Sequence, residues 1–361
     1  MLSVPLGKYY CGLVCRYPSR KGESVRISII IVNWNGLRHL PECLDSLESQ
    51  SFRDFETIVV DNGSTDGSLD YLRGRPGLKL LPLPENVGFA AGNNAGLAAA
   101  RGAYLVTLNN DTRAERGWLE HLVAVADAHP EAGMVASRIL AYDEPDRIDS
   151  LGMAICPDGM SRGQFRGRRF SGLKVAAVQE VLFPSACVAL YRREMLDETG
   201  FFDPDFFAYC EDTDLGLRGR LAGWGALLAR DAVVYHKYSM TSGAFSPFKL
   251  YLVERNHYFA ALKSFPLPLL LLLPFYTLAR YLTQVAVVLK GKGSGGEFLE
   301  SGTRGACVRA LLRGMRDALL ATPALLRKRA ALMRTRRLGD HDMLRLLKRY
   351  RISFRELLDN L

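Results

Sequence analysis

Acidic and amide residues stand in positions of this sequence that suit the binding of a charged ligand. Asn109, Asn110 and Asp111 directly follow Tyr104–Leu108, an apolar run rich in residues that favour a buried strand. Ligands of open α/β sheets lie beyond the carboxyl ends of the strands, so Asp111 would be presented to a ligand or a metal ion. The alternative is an ordinary turn, because Asn and Asp are common turn residues.

A second acidic pair, Glu211 and Asp212, stands much further along the chain, at the start of a predicted helix. A carboxylate within hydrogen-bond reach of a hydroxyl group can accept its proton, so the pair could supply a general base. Negative charge is also favourable at a helix N-terminus, and a purely structural role for the pair stays open.

Strands that alternate with helices would position the first group of residues. The predicted strands are Val25–Val32, Phe55–Val60, Leu78–Leu81 and Tyr104–Leu108. Short connections between strand and helix predict a parallel, doubly wound α/β sheet. Clusters of Asn, Asp and Gly follow three of these strands and would share one edge of the sheet. The sequence contains neither GxGxxG nor GxxxxGK[ST], so it predicts neither the usual dinucleotide fold nor a P-loop.

Composition and charge indicate a globular protein with a basic tail. The chain has 361 residues, of which 48% are hydrophobic and 24% charged. Its net charge of +9 comes from residues 304–361, which hold 15 basic and 5 acidic residues. This tail has no base-reading motif, so binding to nucleic acid is not predicted. The seven cysteines show no paired spacing and indicate free thiols in a reducing compartment.

The segment 265–289 is strongly apolar and long enough to cross a bilayer. It contains Pro266, Pro268, Pro274 and Arg280, which disfavour a simple membrane-spanning helix. An interfacial or re-entrant anchor is the favoured interpretation, and a buried core helix is the alternative.

A basic amphipathic helix is predicted after a glycine-rich linker. Its apolar face would hold Val308, Leu311, Leu312, Met315 and Leu319, and a different face would hold Arg309, Arg313 and Arg316. Such a helix suits the surface of an anionic membrane.

Several of these segments together resemble family-2 glycosyltransferases of the bacterial type that build cell-surface polysaccharide, including rhamnosyltransferase-like members. The resembling segments are SIIIVNWNG (28–36), VVDNGSTDGS (59–68), ENVGFAAGNNAG (85–96), LNND (108–111), FFAYCEDTDLGLR (206–218) and, more loosely, ERNHYFAALK (254–263). The resemblance implies a GT-A fold, which is Rossmann-like and doubly wound with a mostly parallel sheet. It also implies a nucleoside-diphosphate sugar donor, inversion at the anomeric carbon and a divalent cation, Mg²⁺ or Mn²⁺.

The resemblance assigns roles to particular residues. Those assigned to the nucleotide sugar are Asn33, Asn35, Asp61, Asn62, Asn86, Gly88, Asn94, Asn109, Asn110 and Asp111. Asp111 would also bind the metal, with His236 as a second ligand, although a lone histidine is more often a packed residue. Asp212 would be the general base, and Glu211 and Asp212 would lie on the acceptor side. Asn109 stands where many members have Asp, and an amide supplies no charge to a metal.

These inferences divide the chain into four parts and favour one function. The parts are a poorly ordered leader (1–24), a GT-A domain (25–263), an apolar membrane-associated segment (264–290), and a linker with a basic amphipathic helical tail (291–361). The function would be transfer of a sugar, such as the deoxyhexose rhamnose, to a lipid-linked or polysaccharide acceptor at the cytoplasmic face of the bacterial inner membrane. A binding-only relative of these enzymes and a membrane scaffold remain as alternatives.

Overall fold

The computed structural model of the protein describes residues 25–237, 246–289 and 304–358. Within these residues the strands are β1 (Ile27–Asn33), β2 (Phe55–Asn62), β3 (Leu78–Leu83), β4 (Tyr104–Leu108), β5 (Thr112–Ala114), β6 (Ala132–Ala141), β7 (Ile148–Ser150), β8 (Met153–Ile155), β9 (Ser161–Gly163), β10 (Val178–Glu180), β11 (Val188–Arg192) and β12 (Gly225–His236). The α-helices are α1 (Leu40–Glu48), α2 (Ser68–Arg73), α3 (Gly88–Ala99), α4 (Trp118–Ala128), α5 (Arg193–Thr199), α6 (Glu211–Leu221), α7 (Pro247–Ser264), α8 (Leu267–Leu289), α9 (Arg304–Thr335), α10 (Asp340–Arg349) and α11 (Phe354–Leu358). The predicted leader 1–24 and residues 291–303 of the predicted linker lie outside the described residues.

Ten of the described strands form one mixed sheet, and β8 and β9 form a separate hairpin. The main path runs β10-β12-β6-β11-β4-β1-β2-β3, with β5 paired to β12 and β7 paired to β6. Strands β1 to β4 are parallel, as the alternation of strands and helices predicts. Strand β11 is antiparallel to both β4 and β6, and β12 is parallel to β6. Strands β1, β2, β4, β6 and β12 therefore all point the same way, and their carboxyl ends share one edge.

The sheet has a hydrophobic core on each face. Alternate residues of β1 enter different cores: Ile27, Ile29 and Ile31 belong to one, and Ile30 belongs to the other. Successive side chains of a strand point to opposite faces, so a continuous β-branched run is suited to a sheet covered on both sides. This explains why β1 is apolar without alternation and was recognisable from the sequence.

The C-terminal helices pack onto the α/β domain. Helix α9 lies along α7. Met343 and Leu347 of α10, and Tyr350 directly after it, belong to one of the two large cores. The backbone also joins the domain, because the amide of Ile155 donates to the carbonyl of Tyr350 at 3.1 Å. The end of the predicted tail is therefore part of the folded core, since its apolar stripe finds a partner there.

The predicted apolar segment forms the single helix α8, which contains Pro274 in its interior. By length and composition alone, α8 is the one helix among the described residues that could cross a membrane, over Leu267–Ala286. Its sequence pattern predicted a membrane-associated segment but did not predict how one of its faces meets the protein.

Candidate active site

The shared edge of the sheet collects most of the polar residues singled out in the sequence. Strand β1 ends at Asn33, β2 at Asn62 and β12 at His236, while β4 leads directly into Asn109–Asp111. Residues far apart in sequence become neighbours here because parallel strands end on the same side.

A hydrogen-bonded cluster joins the ends of β1, β2 and β4. The amide of Asn33 donates to Asp61 Oδ1 at 3.1 Å and to Ser64 Oγ at 3.2 Å, and its oxygen accepts from Asn110 Nδ2 at 2.7 Å. Asp61 Oδ2 accepts from the backbone amide of Ser64 at 3.2 Å. Asn33 is 0% exposed, so in this structure its contacts position Asp61 and Asn110 and do not reach the crevice.

The turn after β1 approaches the turn after β2 closely. Asn35 has a φ of +50°, a left-handed conformation that Asn adopts more readily than most residues. Its side-chain oxygen accepts from the amide of Thr65 at 2.7 Å. A Cβ on Gly36 would lie 2.1 Å from Asn110 Nδ2, so only glycine fits there. This close packing fixes the wall of the crevice.

A second set of amides holds the loop before α3. Asn62 Nδ2 donates to Asn86 Oδ1 at 3.0 Å, and Asn62 Oδ1 accepts from the amide of Val87 at 3.0 Å. The amide of Gly88 donates to Asn86 Oδ1 at 2.9 Å. Asn94 lies two turns into α3, where its Nδ2 donates to the carbonyl of Phe202 at 2.8 Å. Asn62, Asn86 and Gly88 therefore cluster together, and Asn94 faces a different segment.

Asp111 and His236 face each other on the same edge. Asp111 Oδ1 is buried and accepts no hydrogen bond from the described residues; His236 Nε2 lies 3.4 Å away. The other ring nitrogen of His236 is 2.7 Å from Asp149 Oδ2. Asp149 in turn lies 3.3 Å from Arg166. The turn between β4 and β5, strand β12 and strand β7 thus supply a carboxylate–imidazole–carboxylate row of Asp111, His236 and Asp149.

The charges of this row reinforce one another. Burial alone would raise the pKa of Asp111, but the adjacent His236 outweighs burial and lowers it. Burial alone would lower the pKa of His236, whereas Cys187, Asp111 and Asp149 together hold it well above its usual range. Burial likewise opposes the charge of Asp149, and His236 and Arg166 lower its pKa. The row therefore keeps two carboxylates ionised in a largely buried place.

The arrangement fits a divalent cation held between Asp111 and His236. A buried carboxylate oxygen of Asp111 and an imidazole nitrogen of His236 face each other at 3.4 Å, and the second imidazole nitrogen is oriented by a carboxylate, as is common for metal-binding histidines. The described residues contain no group of three or more His, Cys, Asp or Glu side chains placed to hold a metal. Two protein ligands suffice when phosphate oxygens and water supply the rest, as is usual for Mg²⁺.

Glu211 and Asp212 begin α6 in different environments. Burial first, and the charge of Asp212 second, raise the pKa of Glu211 to about 8. Glu211 Oε2 has no hydrogen-bond partner among the described residues. Asp212 is less buried; its oxygens accept from the amide of Thr213 at 2.7 Å and from the amide of Ala186 at 3.3 Å. Burial also raises the pKa of Asp212, which brings a carboxylate closer to the range useful for a general base.

The loop before the acidic pair is strained and held from α7. Phe207, Tyr209 and Cys210 all have φ between 63° and 70°, a conformation that is uncommon for bulky residues. Asn256 Nδ2 donates to the carbonyls of Phe206, Ala208 and Tyr209 at 2.7–2.8 Å. The side chain of Asn256 thus stabilises a conformation that the loop sequence alone disfavours.

The segment Ala186–Cys187 contacts both the turn that carries Asp111 and the start of α6 at Asp212. Asp212 accepts a hydrogen bond from the amide of Ala186, while the carbonyl of the next residue, Cys187, accepts from the amide of Asn109 at 2.9 Å. The thiol of Cys187 also adjoins His236 and contributes to its raised pKa. The turn that ends in Asp111 and the start of α6 at Asp212 therefore contact the same short segment.

Sequence reasoning missed Asp149 and Asn256 as contributors to the site. Asp149 lies outside the segments singled out in the sequence, and no local pattern marks a carboxylate that will contact a histidine from a distant strand. Asn256 lies within the resembling segment 254–263, so the resemblance pointed to its neighbourhood but not to its contacts.

Comparison with known proteins identifies a glycosyltransferase domain of the GT-A fold. Residues 28–200 match the family model described as glycosyl transferase family 2. The chain therefore carries a family-2 glycosyltransferase domain, as the sequence motifs predicted.

Similar proteins agree with this assignment. The chain is 29% identical over 241 residues to N-acetylglucosaminyl-diphospho-decaprenol L-rhamnosyltransferase of Mycobacterium tuberculosis, covering 60% of this chain and 78% of that protein. It is 28% identical over 239 residues to the O-antigen biosynthesis protein RfbC of Myxococcus xanthus, covering 62% of this chain and 18% of that protein.

Solved structures share the fold at low sequence identity. S. aureus TarS 1-349 in complex with UDP-GlcNAc has a TM-score of 0.54 at 20% identity, covering 90% of this chain and 91% of that chain. The mannosyltransferase PcManGT from Pyrobaculum calidifontis, in complex with GDP-Man and Mn²⁺, has a TM-score of 0.50 at 19% identity, covering 85% of this chain and 91% of that chain.

Proposed function

We propose that the protein transfers a sugar, with inversion, from a nucleoside-diphosphate donor to a hydroxyl group of a lipid-linked or polysaccharide acceptor in cell-surface glycan synthesis. A deoxyhexose such as rhamnose is the favoured sugar, because the mycobacterial relative is named as a rhamnosyltransferase acting on a decaprenol-linked substrate. A lipid-linked acceptor would place the reaction at a membrane, and a nucleotide-sugar donor favours its cytoplasmic face.

One observation carries the proposal: the Asn109–Asp111 turn, through the amide of Asn109, and the carboxylate of Asp212 are hydrogen-bonded to the adjacent residues Cys187 and Ala186. Inverting transfer needs a group that supports the leaving diphosphate on one side of the sugar and a base near the attacking hydroxyl on the other. Segments from distant parts of the chain bring the two carboxylates near the same two residues, which supports this division of work.

The chain's own residues would act as follows. Asp212, with its raised pKa, accepts the proton of the acceptor hydroxyl as the oxygen attacks the anomeric carbon. Asp111 and His236 hold a divalent cation, Mg²⁺ or Mn²⁺, whose role when bound is to stabilise the charge of the departing diphosphate. Asn33, Asp61 and Asn110 fix the turn that carries the nucleoside side of the crevice. Glu211 shapes the acceptor side beside Asp212.

The amide at Asn109 is compatible with this arrangement. Its backbone amide donates to the carbonyl of Cys187, so the residue holds the start of the Asn109–Asp111 turn even without a charge. Asp111 and His236 then supply the protein ligands, and the donor diphosphate supplies oxygen ligands.

The direct test is transfer by the purified protein from radiolabelled nucleoside-diphosphate sugars, including a rhamnose donor, to an N-acetylglucosaminyl-diphospho-lipid. We expect product with Mg²⁺ or Mn²⁺ and none with EDTA. Asp212→Asn should lower kcat by about 10²–10⁴-fold and leave donor binding, measured by thermal shift, unchanged.

Other outcomes separate the alternatives. A thermal shift with a donor but no transfer to any acceptor would support the binding-only relative. Neither a shift nor transfer would support the scaffold. If Asp212→Asn kept turnover within a few-fold of wild type, Asp212 would not be the base.

A further inference from the structure

We propose that α8 and α9 together form a membrane-binding face that lies in the plane of an anionic bilayer, without α8 crossing it. This deepens the proposed function, since a lipid-linked acceptor would then reach the site from the same membrane surface.

Helix α8 exposes an apolar stripe along its length. The exposed large hydrophobic residues of α8 are Leu267, Leu271, Leu272, Phe275, Leu278, Leu282 and Val285. Most recur at intervals of three or four, the repeat of one helical face. Leu271 and Phe275 are each 69% exposed. Water-exposed apolar stripes of this length are rare in soluble monomers.

Helix α9 exposes a second apolar stripe. Its exposed large hydrophobic residues are Val308, Leu312, Met315, Leu319, Leu320 and Leu326. The opposite side of α9 packs on α7, with Ala318 and Leu325 buried beside Phe259. Gly314 permits this approach, because a Cβ there would lie 3.0 Å from the carbonyl of Tyr251.

The two stripes lie side by side. Tyr281 Oη of α8 lies 3.4 Å from the sulfur of Met315 of α9. This contact brings the two stripes together at Met315, and their thirteen exposed residues named above are here called the α8–α9 face. Monomers usually expose no more than roughly a few hundred Å² of contiguous apolar surface, so thirteen exposed large apolar residues on two touching helices favour a binding role.

The buried side of α8 argues against a membrane-spanning orientation. Arg280, in the second half of the helix, is 0% exposed. Its Nε lies 2.5 Å from Asp158 Oδ2, and its Nη2 donates to Glu254 Oε1 at 2.8 Å. Leu273, seven residues earlier, belongs to a large core of the α/β domain. If α8 spanned a bilayer, these polar partners on the catalytic domain would have to enter the hydrocarbon, which is strongly unfavourable. Lying in the interface requires no such burial.

Charge identifies an anionic bilayer as the occupant. Arg309, Arg313, Arg316 and Arg327 are exposed on α9 beside the apolar stripe. Arginine side chains at the border of an apolar face can reach lipid phosphates while their aliphatic parts stay in the interface. A second copy of this chain would instead bring the same arginines together and would be opposed by their charge.

The face is connected to the acceptor side of the site. Glu254, which holds Arg280 of α8, lies on α7 next to Arg255 and Asn256. Arg255 Nη2 donates to the carbonyl of Asp205 at 2.8 Å, and Asn256 holds the loop that leads to Glu211 and Asp212. Helix α7 thus links the membrane-binding face to the loop that positions the proposed base.

The first test is sedimentation of the full chain with vesicles of phosphatidylglycerol and phosphatidylethanolamine, in the absence of donor and acceptor. We expect binding that the double variant Leu271→Glu/Phe275→Glu reduces at least tenfold. Arg309→Gln should weaken binding about fivefold, whereas the matched control Arg73→Gln on α2 should not. The substituted residues are exposed, and unchanged melting temperatures would verify folding.

Orientation is tested by tryptophan quenching with lipids brominated at different depths. The tryptophans introduced by Leu271→Trp, Leu278→Trp and Val285→Trp should all be quenched most strongly by the lipids brominated at a shallow depth. The quenching of the wild-type protein, which contains three tryptophans of its own, is subtracted from that of each variant. A deep Leu278→Trp flanked by two shallow positions would indicate a spanning helix and would overturn the proposal. A dimer in solution that Leu271→Glu/Phe275→Glu dissociates, without vesicle binding, would also overturn it.

These results are separable from the proposed function. Vesicle binding without sugar transfer would leave the α8–α9 face standing and refute the reaction. With the reaction intact, Leu271→Glu/Phe275→Glu should still glycosylate a short-chain, water-soluble acceptor and lose activity towards a polyprenyl acceptor in vesicles. Equal activity of the variant on both acceptors would contradict the face.

Discussion

At the scale of single residues, the site depends on carboxylates whose environments differ. Asp111 is kept ionised by His236, whereas Glu211 and Asp212 share a buried helix start that favours protonation. Opposite shifts of this kind are typical of sites that need both a fixed negative charge and a group able to exchange a proton.

The raised pKa of Glu211 makes stability depend on pH. A carboxyl group with a folded-state pKa above its unfolded value binds more protons in the native state between the two values, so the free energy of unfolding falls as pH rises through that range. Gln at this position cannot ionise and keeps the shape of the protonated acid. We therefore expect the free energy of unfolding of Glu211→Gln, relative to that of wild type, to increase as the pH rises from 5 to 9. The increase should be on the order of a few kcal/mol. Parallel melting-temperature curves for the two proteins across this range would contradict the prediction.

Asp149 is expected to act on a bound cation through His236. Removing the charge that orients a metal-binding histidine typically weakens metal affinity by about 10–100-fold. Asp149→Asn should therefore weaken Mn²⁺ binding by that factor in calorimetry with a nucleoside diphosphate present. Asp143→Asn, which removes the same charge at an exposed position, should leave affinity unchanged. Equal Mn²⁺ affinities of the two variants would show that Asp149 does not contribute to cation binding.

At the scale of elements, the donor-side loop and the acceptor-side loop touch. The amide of Ala90 at the start of α3 donates to the carbonyl of Phe207 at 3.0 Å. Gly88 has a φ of +89°, and a Cβ there would lie 2.5 Å from the same carbonyl. The beginning of α3 therefore sets the position of the loop that precedes Asp212.

Gly88→Ala should disturb both loops. The left-handed backbone and the backbone clash each oppose a side chain, so we expect a loss of at least about 2 kcal/mol in the free energy of unfolding, measured by denaturant titration. Gly74→Ala on α2 is the control, because Gly74 has a φ of −79° and a nearest contact at 3.5 Å; its change should stay within about 0.5 kcal/mol. Similar stabilities for the two variants would show that the loops can separate without cost.

At the scale of the whole molecule, the C-terminal helices serve two different purposes. Helix α10 completes a core of the α/β domain, while α9 presents apolar residues on one side and packs on α7 with the other. The surplus of positive charge is therefore carried by a region that is structurally joined to the catalytic domain.

This division predicts that truncating an apolar side chain costs much stability on α10 and little on α9. Met343 on α10 is 0% exposed, so Met343→Ala should lower the free energy of unfolding by about 2–5 kcal/mol. Leu319 on α9 is 73% exposed, and Leu319→Ala should change it by less than about 0.5 kcal/mol. Chemical denaturation of both variants measures the contrast, and a stable Met343→Ala protein would mean that α10 is not part of the core.

Local sequence signals were sufficient to predict the parallel part of the sheet and the edge on which the polar residues meet. Continuous apolar strands, short connections and Asn/Asp/Gly clusters are local signals, and the direction of parallel strands then places the ends of β1, β2 and β4 together. The motifs around Asp111 and Asp212 were visible for the same reason, since each lies within a short stretch of the chain.

Only the tertiary structure decided the contacts between distant segments. The pairing of His236 with Asp149, the support of the 206–210 loop by Asn256 and the burial of Arg280 all join residues that no local pattern relates. The same is true of the last helices, where an amphipathic repeat predicts an apolar face but not whether protein or lipid covers it. Periodicity reports which side of a helix avoids water; packing alone determines the neighbour on that side.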